Sequence, residues 1–500
     1  MKPYKILIFF ISIAIVLLTI VFVFPKDGIN ITEDFKLYYP TYSELIGDDD
    51  TKNKSVDSLI LNQLALLDEG FSDTIQEIFS DTVESLLDIP AKESTFHVDT
   101  LRTRIQKIEF SENNKALLHN FFKKIRRAKD VVRILHYGDS QIEGDRITSF
   151  IRNRLQKRFG GYGVGLVCPK PLVKSFSINQ KYSENWLRFP IFGTKEGLVE
   201  HKRYGGLGVF CRYAPAVPDS IRYDSILFAN REKKIVNAEI VFSKSGSAYI
   251  KDRQIRNFSI LYGNAEEHIL TEIYDGDNLL FAKYMNTNTT MSKMHFRFPK
   301  VLESFTVKFS GYDSPNIYAM ALDADKGVVV DNIPMRGSSG TYFNKMDLSV
   351  LKAFYSKLDL GMILLEFGGN VIPFIETDQG VKNYESWFYS QIRTLRRLNP
   401  HVPIIVMGVA DMSKKEKDKY VSYSYIVQVR DAMKRAAFRA GAGYWDMYEA
   451  MGGENSMPEW VNSDPKLATD DYTHYTPRGA KMVGNMFFNA LMYEYQLYQN

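Results

Sequence analysis

Cysteine is nearly absent from this sequence: there are 2 in 500 residues, Cys168 and Cys211. Neither belongs to a C-x-x-C pair, so a zinc ribbon or a thioredoxin-like site is not indicated. Outside the cytoplasm the two can close one disulfide; otherwise they are two buried thiols. An excess of one charge is also lacking. The 63 Lys and Arg against 59 Asp and Glu leave +4 over the whole chain. That is a weak field, no RNA- or DNA-binding motif accompanies it, and no nucleic-acid partner is expected. The sequence has no Walker A loop and no dinucleotide glycine motif, and it lacks the G-x-S-x-G elbow of the usual α/β-hydrolases. No cofactor or metal is called for.

What is present is an ordinary globular balance, 45% hydrophobic and 24% charged, on a chain long enough for two or three domains. Aromatic residues reach 13%, which suits β-rich modules and sugar-stacking surfaces. Ile6 to Phe24 is apolar except for Ser12 and Thr19. At about 19 residues it can cross a membrane as a helix. Lys2 and Lys5 precede it and hold the N-terminus on the cytoplasmic side. No small-residue cleavage site and no lipidation cysteine follow. Residues 1–27 therefore read as a membrane anchor, with a cleaved signal peptide as the alternative. Either way the rest of the chain is expected outside the cytoplasm, in the periplasm or at the cell surface.

Residues 28–128 read as a stalk with helices. Leu59, Leu61, Leu64, Leu66 and Leu67 suggest one helix, after the polar Gly47–Lys54 stretch. Leu117, Leu118, Phe121, Phe122 and Ile125 mark a second that docks on the next domain. Val131–Tyr137 is a buried strand, Gly138-Asp139-Ser140 a turn, and Ile147, Phe150, Ile151 and Leu155 the core face of a helix that stops at Gly160-Gly161. Helical periodicity fades over 171–326. Ala238–Phe242, Phe258–Tyr262 and Phe305–Phe309 read as strands between turns such as Asp275-Gly276-Asp277, so an all-β sandwich is inserted here. From 327 the α/β texture resumes. Gly327–Asp331, Met362–Phe367 and Ile404–Met407 are strands, alternating with helices that end before Asn399-Pro400, close at Gly441, and begin at Thr476-Pro477. Segments 129–170 and 327–500 thus make one domain of about 200 residues, a parallel sheet with helices on both faces.

A hydrolytic serine needs a base, an orienting acid and an oxyanion hole. Ser140 stands where a strand is expected to enter a helix N-terminus, so its N–H and the helix dipole would face developing charge. Asn370, in Gly368-Gly369-Asn370 after a strand, can offer its amide. Asp471 precedes His474 by three residues, close enough to hold its tautomer within one local turn. Asp470 competes with Asp471, and Ser338 and Ser339 compete with Ser140, but no strand–turn–helix pattern presents those two serines. His136 reads as structural, and the run Trp186–Phe189 as sandwich core rather than a sugar platform.

Ile134-Leu135-His136-Tyr137-Gly138-Asp139-Ser140 resembles the first block of the SGNH (GDSL-type) hydrolases. Gly337, the G-x-N at Gly368–Asn370 and Asp471-x-x-His474 resemble the other three, in the family's order. Gln141 departs from the leucine of the GDSL name, at a position that is not catalytic in the family. The resemblance implies a three-layer α/β/α fold with Ser140 as nucleophile, His474 as base and Asp471 as its orienter. It implies an oxyanion hole from the Gly337 N–H, the Asn370 side chain and the Ser140 N–H. The β-insert and the stretch Arg154–Gly165 resemble peptidoglycan O-acetylesterases, in which a jelly-roll carbohydrate-binding domain interrupts the catalytic one. The expected function is an exported esterase removing acyl, above all acetyl, groups from envelope or extracellular carbohydrate. Two alternatives stay open: a membrane-tethered polysaccharide or peptidoglycan O-acetyltransferase working beside a membrane acyl exporter, and a non-catalytic carbohydrate-binding envelope protein.

Overall fold

The computed structural model describes residues 29–30, 36–37, 105–111, 115–193, 199–216, 233–287 and 290–499. The Ile6–Phe24 run, the Gly47–Lys54 linker and the Leu59–Leu67 helix lie outside the described residues. Among the described residues no helix is long and apolar enough to cross a membrane. The chain divides into two compact units, Met1–Leu61 and Asn62–Asn500. In the first, Ile29–Asn30 pairs antiparallel with Lys36–Leu37.

The second unit is built on a six-stranded sheet. Across it run Gly327–Pro334, Val131–Gly138, Leu360–Glu366, Ile404–Met407, Gly443–Trp445 and Ile108–Glu109. The first five are parallel and the last is antiparallel. Every residue of Leu360–Glu366 is buried, as a central strand covered on both faces requires. On one face Leu135, Tyr137, Ile363, Leu365 and Val406 share a core with Phe388, Ile392 and Val429 of the helices Asp378–Leu398 and Ile426–Arg439. On the other lie Lys115–Arg126, Thr148–Phe159 and Pro477–Gln499.

Helix ends follow local chemistry. The Thr377 hydroxyl accepts the Gly380 N–H at 3.2 Å, and the helix it caps stops at Asn399, before the proline that disfavours a further helical residue. Thr476 Oγ1 likewise accepts the Gly479 N–H at 3.2 Å, with Pro477 as the first helical residue.

Residues expected in the stalk enter this sheet domain. Ile108–Glu109 forms its antiparallel edge strand, and Lys115–Arg126 buries Leu118, Phe121, Phe122 and Ile125 against it. The boundary drawn at 128 therefore moves back to about residue 105. An edge strand of two residues carries no periodicity of its own, which is why the sequence shows no sign of it.

The insert is two antiparallel sheets. One runs Ser292–Arg297, Asn257–Gly263, Asn316–Asp323, Val209–Arg212, Leu187–Pro190, with Gly165–Val167 also on Asn316–Asp323. The other runs Asn278–Met285, Ile269–Asp275, Ser304–Gly311, Val236–Lys244, Ile178–Tyr182. Alternation supplies the core: Ala238, Ile240 and Phe242 point in while Glu239 is exposed. Trp186 is fully buried in this core, its indole N–H donating to Glu239 O at 3.2 Å. The sandwich begins at Gly165 rather than 171, because Leu166 already pairs with Ala321.

Two buried charge clusters join insert to sheet domain. Arg152, from the helix Thr148–Phe159, bonds Asp145, Asp252 and Ser177. Arg133 bridges Asp331 of the sheet and Asp323 of the sandwich. The acceptors hold Arg133 and Arg152 charged despite full burial, which opposes it.

Candidate active site

In chain order the parallel strands run 2-1-3-4-5 across the sheet, so the topology reverses between Val131–Gly138 and Leu360–Glu366. Crevices for ligands form there, beyond the carboxyl ends of the strands. Ser140 follows the first of these strands and Asn370 the second. Gly138 ends the first strand, where Glu366 and Ile142 leave little room for a side chain. A Cβ there would sit 3.1 Å from Glu366 O and 2.9 Å from Ile142 Cδ1.

Ser140 opens a 3₁₀ turn, Ser140–Asp145, and not an α-helix. Asp139 Oδ1 caps the turn by accepting the Gln141 N–H at 2.9 Å. Glu143 is extended and Gly144 and Asp145 take positive φ, which breaks the turn; the α-helix starts only at Thr148. The helix dipole expected at Ser140 is thus displaced, and a short turn supplies the local N–H groups instead.

Ser140 Oγ lies 2.8 Å from His474 Nε2, and His474 Nδ1 lies 2.7 Å from Asp471 Oδ2. Asp471 Oδ1 also accepts the N–H groups of His474 at 2.9 Å and Thr473 at 3.0 Å, and the Thr469 hydroxyl at 2.7 Å. Partial burial opposes ionisation of Asp471. The His474 N–H and ring, Thr469 and Thr473 outweigh it and hold the carboxyl down at about 2. An ionised Asp471 only accepts, so the ring proton sits on Nδ1 and Nε2 is left to accept from the Ser140 hydroxyl. Asp470 instead pairs with Lys466 at 2.5 Å and is 78% exposed. Ser338 is buried, its hydroxyl accepting the Gly340 N–H at 3.1 Å.

Asn370 Nδ2 donates to Asp139 Oδ2 at 2.9 Å and to Ser338 O at 3.2 Å. Ser140, His474, Asn370, Asp139 and Glu366 line one cleft of about 460 Å³; Gly337 does not line it. Gly337 stands at φ +77°, where a Cβ would face Phe192 at 3.5 Å.

Four further residues support the site. Gln141 Nε2 donates to Thr473 O at 2.6 Å, tying the Ser140 turn to the loop that carries His474. Its departure from leucine is the available signal. Arg146 bonds the Ser140 carbonyl, and its Nε donates to Glu143 O at 3.0 Å. Glu366 receives His136 at 3.0 Å and leaves Oε1 without a partner at the cleft; the His136 ring also meets Thr148 Oγ1 at 2.9 Å. Burial raises the Asp139 carboxyl to about 7. The Gln141 N–H opposes this, the Glu366 charge adds to it, and the Asn370 amide opposes it again. Among the described residues no group of three or more His, Cys, Asp or Glu is placed to hold a metal ion.

No family model matches the sequence, and no curated protein matches it. Among solved structures, a peptidoglycan O-acetylesterase superposes with TM-score 0.60 at 16% identity, over 78% of this chain and 99% of that one. That share is too large for the parallel-sheet domain alone, so the common fold includes the inserted sandwich. A GDSL-like lipase from Parabacteroides merdae ATCC 43184 covers 33% of this chain and 74% of its own at 12% identity and TM-score 0.26. A family two carbohydrate esterase from Clostridium thermocellum covers 50% and 90% at 10% identity and TM-score 0.22. The last two superpose too loosely to carry weight. The expectation of a three-layer α/β/α domain with a parallel sheet, interrupted by an all-β module, is met at the level of fold.

Proposed function

We propose that the chain is a serine esterase that removes O-acyl groups from polymeric carbohydrate. The observation carrying this is the unbroken relay Ser140–His474–Asp471, with links of 2.8 and 2.7 Å. In this reading Ser140 attacks the ester carbonyl, and His474 Nε2 takes its proton and returns it to the departing sugar oxygen. Water, activated by the same nitrogen, then frees the acyl group. The oxyanion is held by the Ser140 N–H and the Asn370 amide; the Gly337 N–H joins them only if its loop moves toward the cleft, which it does not line here. For that, Asn370 keeps its bond to Asp139 and turns its other hydrogen from Ser338 O to the substrate.

The fold shared with a peptidoglycan O-acetylesterase, sandwich included, supports an acetylated glycan as substrate. The apolar run Ile6–Phe24 supports a catalytic domain held outside the cytoplasm on a membrane anchor. Ser140→Ala in the full chain is expected to abolish hydrolysis of p-nitrophenyl acetate and of O-acetylated glycan. Turnover retained by that variant would remove the assignment, and an acetylated glycan product from an acyl donor would move it to a transferase.

A further inference from the structure

Strand Asn316–Asp323 pairs along one edge with Asn257–Gly263. On its other edge two shorter strands lie end to end. Gly165–Val167 occupies one stretch, with Val167 opposite Met320, and Val209–Arg212 the next, with Cys211 opposite Ile317. Cys168 follows Val167 directly, so the two cysteines meet where these strands meet. Their Sγ atoms are 3.6 Å apart although the residues are separated by 43 positions. Both are free thiols. A disulfide needs about 2.05 Å, so a movement of about 1.5 Å closes the gap.

The two thiols are not equivalent. Cys211 is fully buried. Cys168 is half-buried and lines a cavity of about 800 Å³ at the seam between the sandwich and the sheet domain. Arg188, Leu172 and Val209 contribute to that cavity from the sandwich, and Glu143, Asn332 and Arg336 from the sheet domain. The neighbouring Cys211 thiol lowers Cys168, burial opposes this, and the Arg188 guanidinium adds to it. Burial, and then Cys168 itself, push Cys211 well up. The thiolate therefore forms first on the sulfur that a small molecule can reach.

We propose that Cys168 and Cys211 form an oxidisable pair that a small disulfide converts into an internal disulfide, with Cys168 attacking and Cys211 resolving. In the first step the Cys168 thiolate attacks one sulfur of R–S–S–R. The reagent's S–S bond breaks, Cys168–S–S–R forms, and R–S⁻ leaves to collect the proton Cys168 gave up. In the second, Cys211 loses its proton and attacks the Cys168 sulfur, expelling the second R–S⁻, which is protonated in turn. Two protein thiols are oxidised by two electrons, and one disulfide is reduced to two thiols. The new bond pins the strand junction along a cavity that Glu143, Gly144 and Asp145 of the nucleophile turn also line.

The test uses the full chain, purified in mild detergent and freed of reductant, with oxidised glutathione as the disulfide. After a timed reaction, acid quench, unfolding and alkylation, mass spectrometry reads the thiols. The wild type is expected to lose two hydrogens, take up no alkyl group and carry a Cys168–Cys211 cross-linked peptide. Cys211→Ser is expected to accumulate one glutathionyl group on Cys168, and Cys168→Ser to react at least about 10-fold more slowly. Two alkylatable thiols in the treated wild type overturn the proposal. So does equal reactivity of the two variants, because it removes the assigned order of attack. The wild-type measurement needs no substitution, and circular dichroism of each serine variant establishes that it is folded.

Discussion

The polar side chains at Ser140 and the charged ones at the sandwich seam obey different rules. His474 and Asp471 are 32% and 49% exposed and stand three residues apart in one turn. Arg152, Asp145 and Asp252 are at most 2% exposed, and Arg152 reaches Asp252 across 100 positions. An exposed hydrogen bond adds little to stability, because water competes for both partners. A buried ion pair also adds little as a pair, yet removing one partner strands a desolvated charge. The site is thus held in place by its turns and hydrogen bonds, while the seam is a lock that tolerates no half-measures.

The largest expected effect breaks one half of this contrast alone. Ser140→Ala should lower kcat by about 10⁴-fold or more, while the thermal midpoint stays within about 1 °C of wild type. Arg152→Ala does the reverse. Two buried carboxylates lose their partner, and urea titration should register a loss of about 3–5 kcal/mol, with unchanged kcat per folded molecule. Combining Arg152→Met with Asp145→Asn and Asp252→Asn should recover much of that loss; if it does not, packing and not charge holds the seam. Next in size, Asn370→Ala should cost on the order of 100-fold in kcat, with little change in KM, for one oxyanion donor.

The smallest effect is a pH dependence. The Asp139 carboxyl, raised from 3.8 to about 7, stays protonated in the folded chain where the unfolded chain has released its proton. That contribution is whole below about 4 and is lost as pH rises to about 7. Asp331 and Asp411, both raised by burial to about 6, add slopes of the same sign. Asp139→Asn should flatten only the portion of the stability curve that extends to about pH 7, read as the thermal midpoint against pH.

The contrast also governs what the sequence discloses. Asp471 and His474 are legible because their relation is local and leaves a fixed spacing. Ser140 and Asn370 are legible because each follows an apolar strand, and strands such as Val236–Lys244 because their faces alternate. The Arg152 cluster leaves no spacing to read, since its partners come from a turn, a helix and a distant loop. Arg133 and its two aspartates, 190 and 198 positions away, are hidden for the same reason. The 3₁₀ turn at Ser140 reads as helix because Ile147, Ile151 and Leu155 have helical spacing, while the break is set by Glu143, Gly144 and Asp145. The edge strand Ile108–Glu109 is too short for any pattern.

The bond between Ser140 and His474 spans 334 positions, and His474 stands just before the final helix. During synthesis the serine is made 334 residues before the histidine. A growing chain therefore carries Ser140 with no partner while all of those residues are added, and the relay can close only when the segment holding His474 has folded back onto the sheet. Until then Ser140 is an ordinary hydroxyl, because no base stands ready to take its proton.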